Sequence, residues 1–233
     1  MNKRVWIVIS IFVVLVVGVA ILAKNAQQDV DDVDISKLDG SKLITQEDVG
    51  EGQIPDHYHG NPDAKVIVIE YEDFACSHCN YFAPDAKKII EEYQDRVLFI
   101  YRNFNLGYPN SNQTQFAAEA TYLVGGDEAY WKMFDLLWSN DMWTGQAVSE
   151  TERKDTFENY INQVGVDLGE FNKAVEARRS NGIQSKINRD KALGEKAGVT
   201  GTPTWFINGE KVDGVTNQNV RDAINKALDE SKE

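Results

Sequence analysis

The longest apolar stretch of the chain lies near its amino terminus, where Val5 to Ala23 form 19 consecutive residues without a charge. Lys3 and Arg4 precede this run and Lys24 closes it. An α-helix needs about 20 apolar residues to cross a bilayer, so the run predicts a transmembrane helix over residues 5–23. A signal peptide is the alternative, because Gly18-Val19-Ala20 offers the small residues found at cleavage sites. The uninterrupted length favours an uncleaved anchor.

The charges on the two sides of this run predict its orientation. The basic residues at positions 1–4 indicate a cytoplasmic amino terminus, and the acidic residues that begin at Asp29 indicate the outer side of the membrane. An anchor and a signal peptide both place the rest of the chain outside the cytosol.

Residues 24–56 contain many acidic side chains and few large apolar ones. Such a composition favours a mobile stalk over a packed segment. Within it, Leu43-Ile44 is a short apolar patch that would pair with the following domain as an edge strand.

Residues 57–233 alternate between strand and helix patterns. The continuous β-rich run Val66–Tyr71 predicts a central strand that is buried on both faces, and Val97–Tyr101 predicts a second strand. Between them, apolar residues recur at helical spacing, and Pro84 is predicted to kink that helix. These apolar positions are Phe82, Ala86, Ile89, Ile90 and Tyr93.

The stretch from residue 111 to residue 179 is helical in pattern. Its aromatic residues recur at helical spacing, which is typical of core positions rather than of cofactor contacts. Glycine-containing breaks divide it into about four helices. The breaks lie at Gly125-Gly126, Trp143-Thr144-Gly145 and Gly165. Asp167 with Glu170 resembles a capping box that opens the last of these helices.

The carboxy-terminal part predicts a helix over Ile183–Ala197, a β-hairpin and a final amphipathic helix over Asn217–Asp229. The hairpin joins Thr204–Ile207 to Lys211–Val212 through Asn208-Gly209, which is a strong turn signal. Pro203 stands at the start of the first hairpin strand. This position suits either a cis peptide bond or an ordinary strand-opening proline.

The chain carries 37 acidic and 24 basic residues, which gives a formal net charge of −13. This charge argues against nucleic acid as a partner and against docking on anionic lipid.

Cys76 and Cys79 are the two cysteines of the chain, and they follow the first predicted strand at the start of a predicted helix. Two cysteines at this spacing indicate a redox centre, in which an exposed Cys76 attacks and Cys79 resolves. Backbone N–H groups and the helix dipole at this position lower the pKa of a thiol. A protonated His78 would stabilise the Cys76 thiolate further. A more stable thiolate makes the disulfide form a stronger oxidant.

Three other interpretations of the cysteines are weaker. A structural disulfide across two residues would constrain little chain. A zinc site built from His57, His59, Cys76 and Cys79 has neither the ligand order nor the spacing of common zinc sites, so no metal is predicted. Two unpaired structural cysteines fit poorly with a strand-to-helix junction.

The order of these elements resembles the DsbA-type branch of the thioredoxin superfamily, in its membrane-anchored, BdbD-type form. Cys76-Ser77-His78-Cys79 is similar to the Cys-Pro-His-Cys motif of that family, and Thr202-Pro203 resembles its cis-proline loop. The segment at residues 59–64 resembles the lead-in of the anchored members. The resemblance implies an α/β thioredoxin fold over residues 57–233, with an inserted α-helical subdomain at about 108–182 and an amino-terminal transmembrane helix.

The resemblance also implies site residues. Val199, Thr200, Gly201, Thr202 and Pro203 are the candidates for binding extended substrate backbone. Ser77 replaces the proline of many members and would tune the redox potential. Glu70 matches the position of a buried acid in relatives and would relay the proton of Cys79. The alternative is a solvated residue at a strand end.

The implied activity is that of a thiol:disulfide oxidoreductase that donates its disulfide to reduced, unfolded secreted proteins. A reductase or isomerase of the same fold is the alternative, and a non-catalytic binding or chaperone domain is another. No cofactor is implied in the protein itself. A membrane quinone reductase of the DsbB or VKOR kind would restore the disulfide, and the protein would be a single-pass cell-membrane protein with its domain outside.

Overall fold

A five-stranded mixed sheet, in the order β1-β3-β2-β4-β5, forms the centre of the structure. The structure is a computed structural model and describes residues 33–232. Strand β2 is parallel to β3 and antiparallel to β4, and β1 is antiparallel to β3. The strands are β1 His57–Gly60, β2 Val66–Glu72, β3 Val97–Asn103, β4 Thr204–Ile207 and β5 Glu210–Lys211.

A 3₁₀ helix at Ile35–Lys37 precedes the seven α-helices of residues 33–232. The helices are α1 Gln46–Val49, α2 Ser77–Tyr93, α3 Ser111–Trp138, α4 Glu150–Val164, α5 Leu168–Glu176, α6 Ile183–Lys196 and α7 Asn217–Glu230. The predicted strands, hairpin and helices are confirmed to within about two residues at most ends. Pro84 lies inside α2 without ending it.

The sequence analysis did not predict strand β1. Its residues His-Tyr-His-Gly show no apolar alternation, and the strand pairs with β3 alone within the described residues. An edge strand of this kind is held by backbone pairing and by contacts of particular side chains, which a hydrophobicity pattern does not register.

Helices α3 to α5 lie between β3 and α6 and form the helical insert. Their apolar side chains form one cluster with Tyr101 of β3 and Ile187 of α6, and this cluster includes Tyr130, Met133, Trp143, Ile161 and Phe171. The break predicted at Gly125-Gly126 is a kink within α3, where Gly126 has φ 70° and ψ −165°. A left-handed φ is accessible to glycine without steric cost, so the chain changes direction there and the helix then continues.

Strand β2 sends alternate side chains to opposite faces of the sheet. Val66 and Val68 pack with Phe82 of α2 and with residues of α7, whereas Ile69 and Tyr71 pack in a separate cluster on the other face. Glu70 and Glu72 share the parity of Val66 and Val68. The α2 face of the sheet therefore carries two carboxyl groups at the end of β2 that leads to the cysteines.

The prediction of a mobile stalk over residues 24–56 is wrong for residues 33–56. Leu38, Ile44 and Val49 are buried and pack with Leu193 of α6. Leu43-Ile44 does not form a strand, although Ile44 and Asp56 exchange two hydrogen bonds at 2.9 and 3.0 Å. The apolar residues of this segment are few and irregularly spaced, so its average composition hides the fact that four of them, Leu38, Ile44, Val49 and Ile54, are buried.

A buried ion network fastens this amino-terminal segment to the sheet. Asp56 accepts from Arg102 at 2.7 Å and faces Lys186 at 3.5 Å and Arg189 at 3.4 Å. Burial alone raises the pKa of Asp56, but these three cations lower it well below its usual range. Arg102 also donates to the carbonyl oxygens of residues 40 and 42, at 2.6 and 2.8 Å. The segment is therefore held by paired charges as well as by apolar contacts.

The transmembrane helix predicted for residues 5–23 lies outside the described residues. Within residues 33–232, no helix combines the length and the apolar character needed to span a bilayer.

Candidate active site

The cysteine pair stands at the start of α2, on a turn built by Asp73. Cys76 is the N-cap residue of α2, with extended backbone at φ −84° and ψ 121°. Its N–H donates to the Asp73 carbonyl oxygen at 2.8 Å, and the N–H of Ala75 donates to Asp73 Oδ1 at 3.0 Å. These two bonds fix the path of the chain as it leaves β2, and they place Cys76 where the backbone N–H groups of α2 have no partner within the helix.

The second oxygen of Asp73 ties this turn to the helical insert. Asp73 Oδ2 accepts from the N–H of Leu106 at 2.9 Å and from Ser111 Oγ at 2.7 Å. Asp73 itself is fully buried. One carboxylate thus positions the cysteine turn, the loop before α3 and the first residue of α3. Sequence reasoning missed Asp73, and its place just before the cysteine motif was the only signal.

Both cysteines are free thiols, and both are buried. Cys76 exposes 2% of its surface and Cys79 exposes none. The expectation of an exposed Cys76 is therefore wrong. The loop that carries Thr202 lies against it, and the protonated Cys76 thiol donates to the Thr202 carbonyl oxygen at 3.4 Å.

The two thiols differ sharply in acidity. A hydrogen bond from Cys79 lowers the pKa of Cys76 to about 5, against the effect of burial. The Thr202 side chain and the backbone N–H groups of His78 and Cys79 lower it further. Burial raises the pKa of Cys79 well above its usual range. The hydrogen bond between Cys79 and Cys76 and the charge of Glu72 raise this pKa further. At neutral pH, Cys76 is a thiolate and Cys79 stays protonated.

His78 contributes to this site through its backbone. Its side chain is exposed, as is that of Ser77. The groups that lower the pKa of Cys76 include the His78 N–H. The effect expected of a protonated His78 ring stays a prediction.

The loop predicted to bind substrate lies beside the cysteines. The Thr202–Pro203 peptide bond is cis, and the next residue begins β4. Thr200 is exposed and residues 201–203 are half-buried, whereas the Val199 side chain belongs to the core. Of the five candidates, residues 200–203 present accessible side chains or backbone.

Glu70 is buried, with 6% of its surface exposed, so the alternative of a solvated residue at the strand end is wrong. Burial raises the pKa of Glu70 to about 7, with hydrogen bonding to Glu72 and Trp205 opposing it. Glu72 is buried more deeply, at 1% exposed, and burial followed by the charge of Glu70 raises its pKa well above its usual range.

Glu72, which sequence reasoning missed, interacts with the cysteines through its charge. Its charge raises the pKa of Cys79, and the Cys76 thiolate raises the pKa of Glu72 in turn. The signal in the sequence was its spacing, because Glu70 and Glu72 stand two residues apart on one strand and must face the same side.

Two exposed tyrosines adjoin the cysteine pair. Tyr81 follows Cys79 by two residues on α2 and is 87% exposed. Tyr108 precedes α3 and is 44% exposed, and burial followed by the charge of Cys76 raises its pKa. Neither was singled out from the sequence.

The histidines of the rejected zinc set serve other contacts. His57 Nε2 lies 2.8 Å from Glu119 Oε2, and the His59 ring stacks on Trp131 with centroids 3.8 Å apart. The described part of the chain contains no cluster of three or more side chains suited to holding a metal ion.

These features define the chemistry of the site. A thiolate and a protonated thiol stand one helical turn apart, with a cis-proline loop at one side and a buried acid pair behind them. Such an arrangement supports thiol–disulfide exchange, in which one sulfur bonds to a partner and the other displaces it.

Comparisons with known proteins agree with this geometry. Residues 53–229 match the family model described as "Thioredoxin". Oxidised BdbD from Bacillus subtilis superposes with a TM-score of 0.63 at 20% identity, over 81% of this chain and 97% of that chain. The alpha-DsbA1 protein of Wolbachia pipientis superposes with a TM-score of 0.62 at 24% identity, over 76% of this chain and 92% of that chain.

Curated relatives are similar over part of their length. The Na(+)/H(+) antiporter NhaA 3 of Salinispora tropica is 30% identical over 162 residues, which are 70% of this chain and 23% of that protein. The NhaA 1 antiporter of Mycolicibacterium gilvum is 27% identical over 158 residues, which are 67% of this chain and 24% of that protein. The chain thus spans about a quarter of the length of these relatives. The family match over residues 53–229, together with the cysteine turn and the cis-proline loop, shows that the chain belongs to the thioredoxin family.

Proposed function

We propose that the protein is a thiol:disulfide oxidoreductase that acts as a dithiol oxidase, donating its Cys76–Cys79 disulfide to reduced proteins that fold outside the cytosol. The observation that carries this proposal is the difference in acidity between the two thiols. The pKa of Cys76 is about 5 because its thiolate is stabilised, and this thiolate exists only in the reduced pair. A protein whose reduced form is stabilised in this way oxidises its partners.

The reaction begins when a substrate thiolate attacks Cys76 Sγ of the oxidised pair. The Cys76–Cys79 bond breaks, a substrate–Cys76 disulfide forms, and Cys79 leaves and takes up a proton. A second substrate thiolate then attacks the substrate sulfur of that mixed disulfide. The substrate disulfide forms and Cys76 leaves as a thiolate, so the substrate loses two electrons and the enzyme pair gains two. The low pKa of Cys76 makes it a good leaving group in this second step.

The first step needs a proton at Cys79, and the buried acids are placed to supply it. Both acids have raised pKa values, so a proton is held at neutral pH behind the cysteines. The relay first assigned to Glu70 is extended in this proposal to Glu72, whose charge acts on Cys79. If Glu70→Gln and Glu72→Gln variants both exchange thiols at the wild-type rate from pH 5 to pH 8, the relay is wrong.

Substrate approaches along the cis-proline loop, where residues 200–203 are accessible. Because Cys76 is 2% exposed, a bound segment must reach its sulfur beside Thr202. An extended segment of an unfolded protein can do so, and a folded protein with buried thiols cannot. The proposed substrates are accordingly reduced, unfolded secreted proteins.

The proposal also includes the setting of the enzyme. The apolar run at residues 5–23 would anchor it in the cell membrane with the folded domain outside. A quinone-linked membrane partner of the DsbB or VKOR kind would reoxidise the pair. Labelling of the Cys76 thiol in intact cells by a membrane-impermeant maleimide tests the location, and protection in intact but not in lysed cells would contradict it.

The test of direction is an equilibrium of the pair with glutathione, together with an oxidation assay on a reduced, unfolded protein such as ribonuclease A. An oxidase gives a potential well above the value of about −270 mV that is typical of thioredoxin, and it forms disulfides in the substrate stoichiometrically. A pair as reducing as thioredoxin, which reduces the oxidised substrate instead, would favour the reductase alternative.

A Cys79→Ala variant identifies the partners. Without the resolving thiol, mixed disulfides through Cys76 persist and can be isolated under non-reducing conditions. The matched control is the Cys76→Ala variant, which should trap none of the same proteins. Equal trapping by both variants would mean that Cys76 is not the attacking residue.

A further inference from the structure

A cavity of about 690 Å³ lies between α2 and α3, on the face of the sheet that carries the acid pair. Its volume falls within the range of roughly 300–1,000 Å³ that is common for small-molecule sites. Its walls are mainly apolar and include Pro84 and Ile90 of α2 and Trp131, Phe134 and Trp138 of α3. A ligand with an aromatic ring or another flat apolar body fits such walls.

Glu70 and Glu72 also line this cavity. Each exposes less than a tenth of its surface, at 6% and 1%. Each has one carboxyl oxygen, Oε1, without a hydrogen-bond partner among the described residues. Buried polar atoms are normally paired, and an unpaired one is costly. A ligand that brings hydrogen-bond donors to these two oxygens would be stabilised at this position.

The charges around the cavity select the sign of the ligand. Lys87 pairs with Asp135 and Lys132 pairs with Glu128, both at 2.8 Å, so the two lysines of the lining are already matched. Glu91 adds a further acid, and Glu70 and Glu72 stand behind. The net charge of the side chains that line the cavity is negative, so an anionic ligand is disfavoured. The aromatic rings of the wall attract cations as well.

We propose that this cavity is a binding site for a small hydrophobic amine, whose ammonium group donates to Glu70 and Glu72 while its apolar body packs between α2 and α3. The site is separate from the cis-proline loop, where protein substrates are proposed to bind. It needs neither cysteine, so it does not depend on the direction of the redox reaction, although it shares Glu70 and Glu72 with the proposed proton relay.

The binding should strengthen as pH rises. Burial raises the pKa of Glu70 to about 7, so this carboxyl changes from mostly protonated at pH 6 to mostly ionised at pH 8. An ammonium group prefers the ionised form, and the expected gain in affinity is about tenfold. The other titratable groups that face the cavity, from β1, α2 and α3, are His59, Lys87, Glu91, Glu128, Lys132 and Asp135. Burial lowers the pKa of His59, which favours the neutral ring and reduces its opposition to a cation.

The experiment uses three probes with one indole ring: tryptamine, which is cationic, tryptophol, which is neutral, and indole-3-propionate, which is anionic. Titration calorimetry on the wild-type protein should give one tryptamine site per chain, at least tenfold tighter than that for tryptophol and with no binding of indole-3-propionate. Chemical-shift changes should centre on the indole N–H signals of Trp131 and Trp138, assigned with Trp131→Phe and Trp138→Phe variants.

The variants Glu70→Gln and Glu72→Gln keep the shape of the side chain and should leave tryptophol unchanged. Glu70→Gln should weaken tryptamine at least tenfold at pH 8, and Glu72→Gln should weaken it less, because burial and the charge of Glu70 hold the pKa of Glu72 well above its usual range. Glu158→Gln on α4 changes an exposed acid outside the cavity and should have no effect. Absence of saturable tryptamine binding, equal affinity for the three probes, or tryptamine binding that survives both glutamine variants would overturn the proposal. None of these results would affect the proposed redox function.

Discussion

The Cys79→Ala substitution tests the origin of the acidity of Cys76. A hydrogen bond from the Cys79 side chain is the largest single cause of the low pKa of Cys76, which is about 5. A hydrogen bond to a charged group is worth about 1.5–3 kcal/mol, and one pKa unit corresponds to about 1.4 kcal/mol. Loss of this bond should therefore raise the pKa of Cys76 by about one to two units. The new value should be about 6 to 7, because the Thr202 side chain and the helix N–H groups remain.

The assay is the absorbance of the thiolate near 240 nm, followed as the reduced protein is titrated from pH 3 to pH 9. The wild type should show one transition near pH 5, and Cys79→Ala should show it about one to two units higher. The Cys76→Ala variant is the control. It retains only the buried Cys79, whose raised pKa predicts no transition below pH 9.

Two results would refute this reasoning. A wild-type transition near pH 8 would mean that neither the hydrogen bond from Cys79 nor the start of α2 stabilises the Cys76 thiolate. An unchanged transition in Cys79→Ala would mean that the backbone N–H groups act alone.

Four further predictions concern stability and substrate affinity. Asp56→Asn leaves three buried cations without their carboxylate and should lower the free energy of unfolding by about 3–5 kcal/mol in urea denaturation at pH 7, whereas the exposed control Asp155→Asn should change it by less than about 0.5 kcal/mol. Folding lowers the pKa of Asp56, so the loss of unfolding free energy in Asp56→Asn is present above about pH 4 and shrinks as pH falls. A loss under about 1 kcal/mol at pH 7 would contradict the role of the buried ion network. Asp73→Asn keeps one of the two acceptor oxygens and should lower the free energy of unfolding by about 2–4 kcal/mol in the same urea denaturation. An unchanged urea midpoint would show that other contacts hold the cysteine turn. The folded pKa of Cys76 is also depressed, so the stability of the reduced protein relative to the oxidised one should fall by about 2 kcal/mol between pH 7 and pH 5; a constant difference would contradict the low pKa. Tyr108→Ala should raise the KM for a reduced, unfolded protein about tenfold and leave the reaction with glutathione unchanged, and an equal effect on both would place Tyr108 in the chemistry rather than in substrate contact.

The order of elements was predictable because each element carries its own periodic signal. The run Val66–Tyr71 has no polar alternation until Glu70, which fits a central strand, and Asn208-Gly209 predicts the turn between β4 and β5. Strand β1 has no such signal. The acidic segment before it was misassigned for a related reason, because a few well-placed residues such as Ile44 and Ile54 determine packing while the many charged ones dominate composition.

The site was predictable in part. The spacing of Cys76 and Cys79 and the Thr202-Pro203 pair were visible in the sequence, and the structure brings them together. The burial of Cys76 and the role of Asp73 were not visible. Each depends on residues more than twenty positions away, such as Leu106 and Thr202, whose approach no local pattern encodes.

The sequence by itself determined the thioredoxin-like order of the helices and of the strands other than β1, the redox pair and the proline loop, because these are properties of short segments. Only the tertiary structure decided how deeply Cys76 is buried, how far apart the acidities of the two sulfurs are and which acids lie behind the pair. Acidity depends on hydrogen bonds, burial and charges that reach a group through space, and the fold supplies these from the Thr202 loop and from the α2 face of β2. The same face places Glu70 and Glu72 along a cavity whose other wall is the helical insert, and that juxtaposition exists only once the chain has folded.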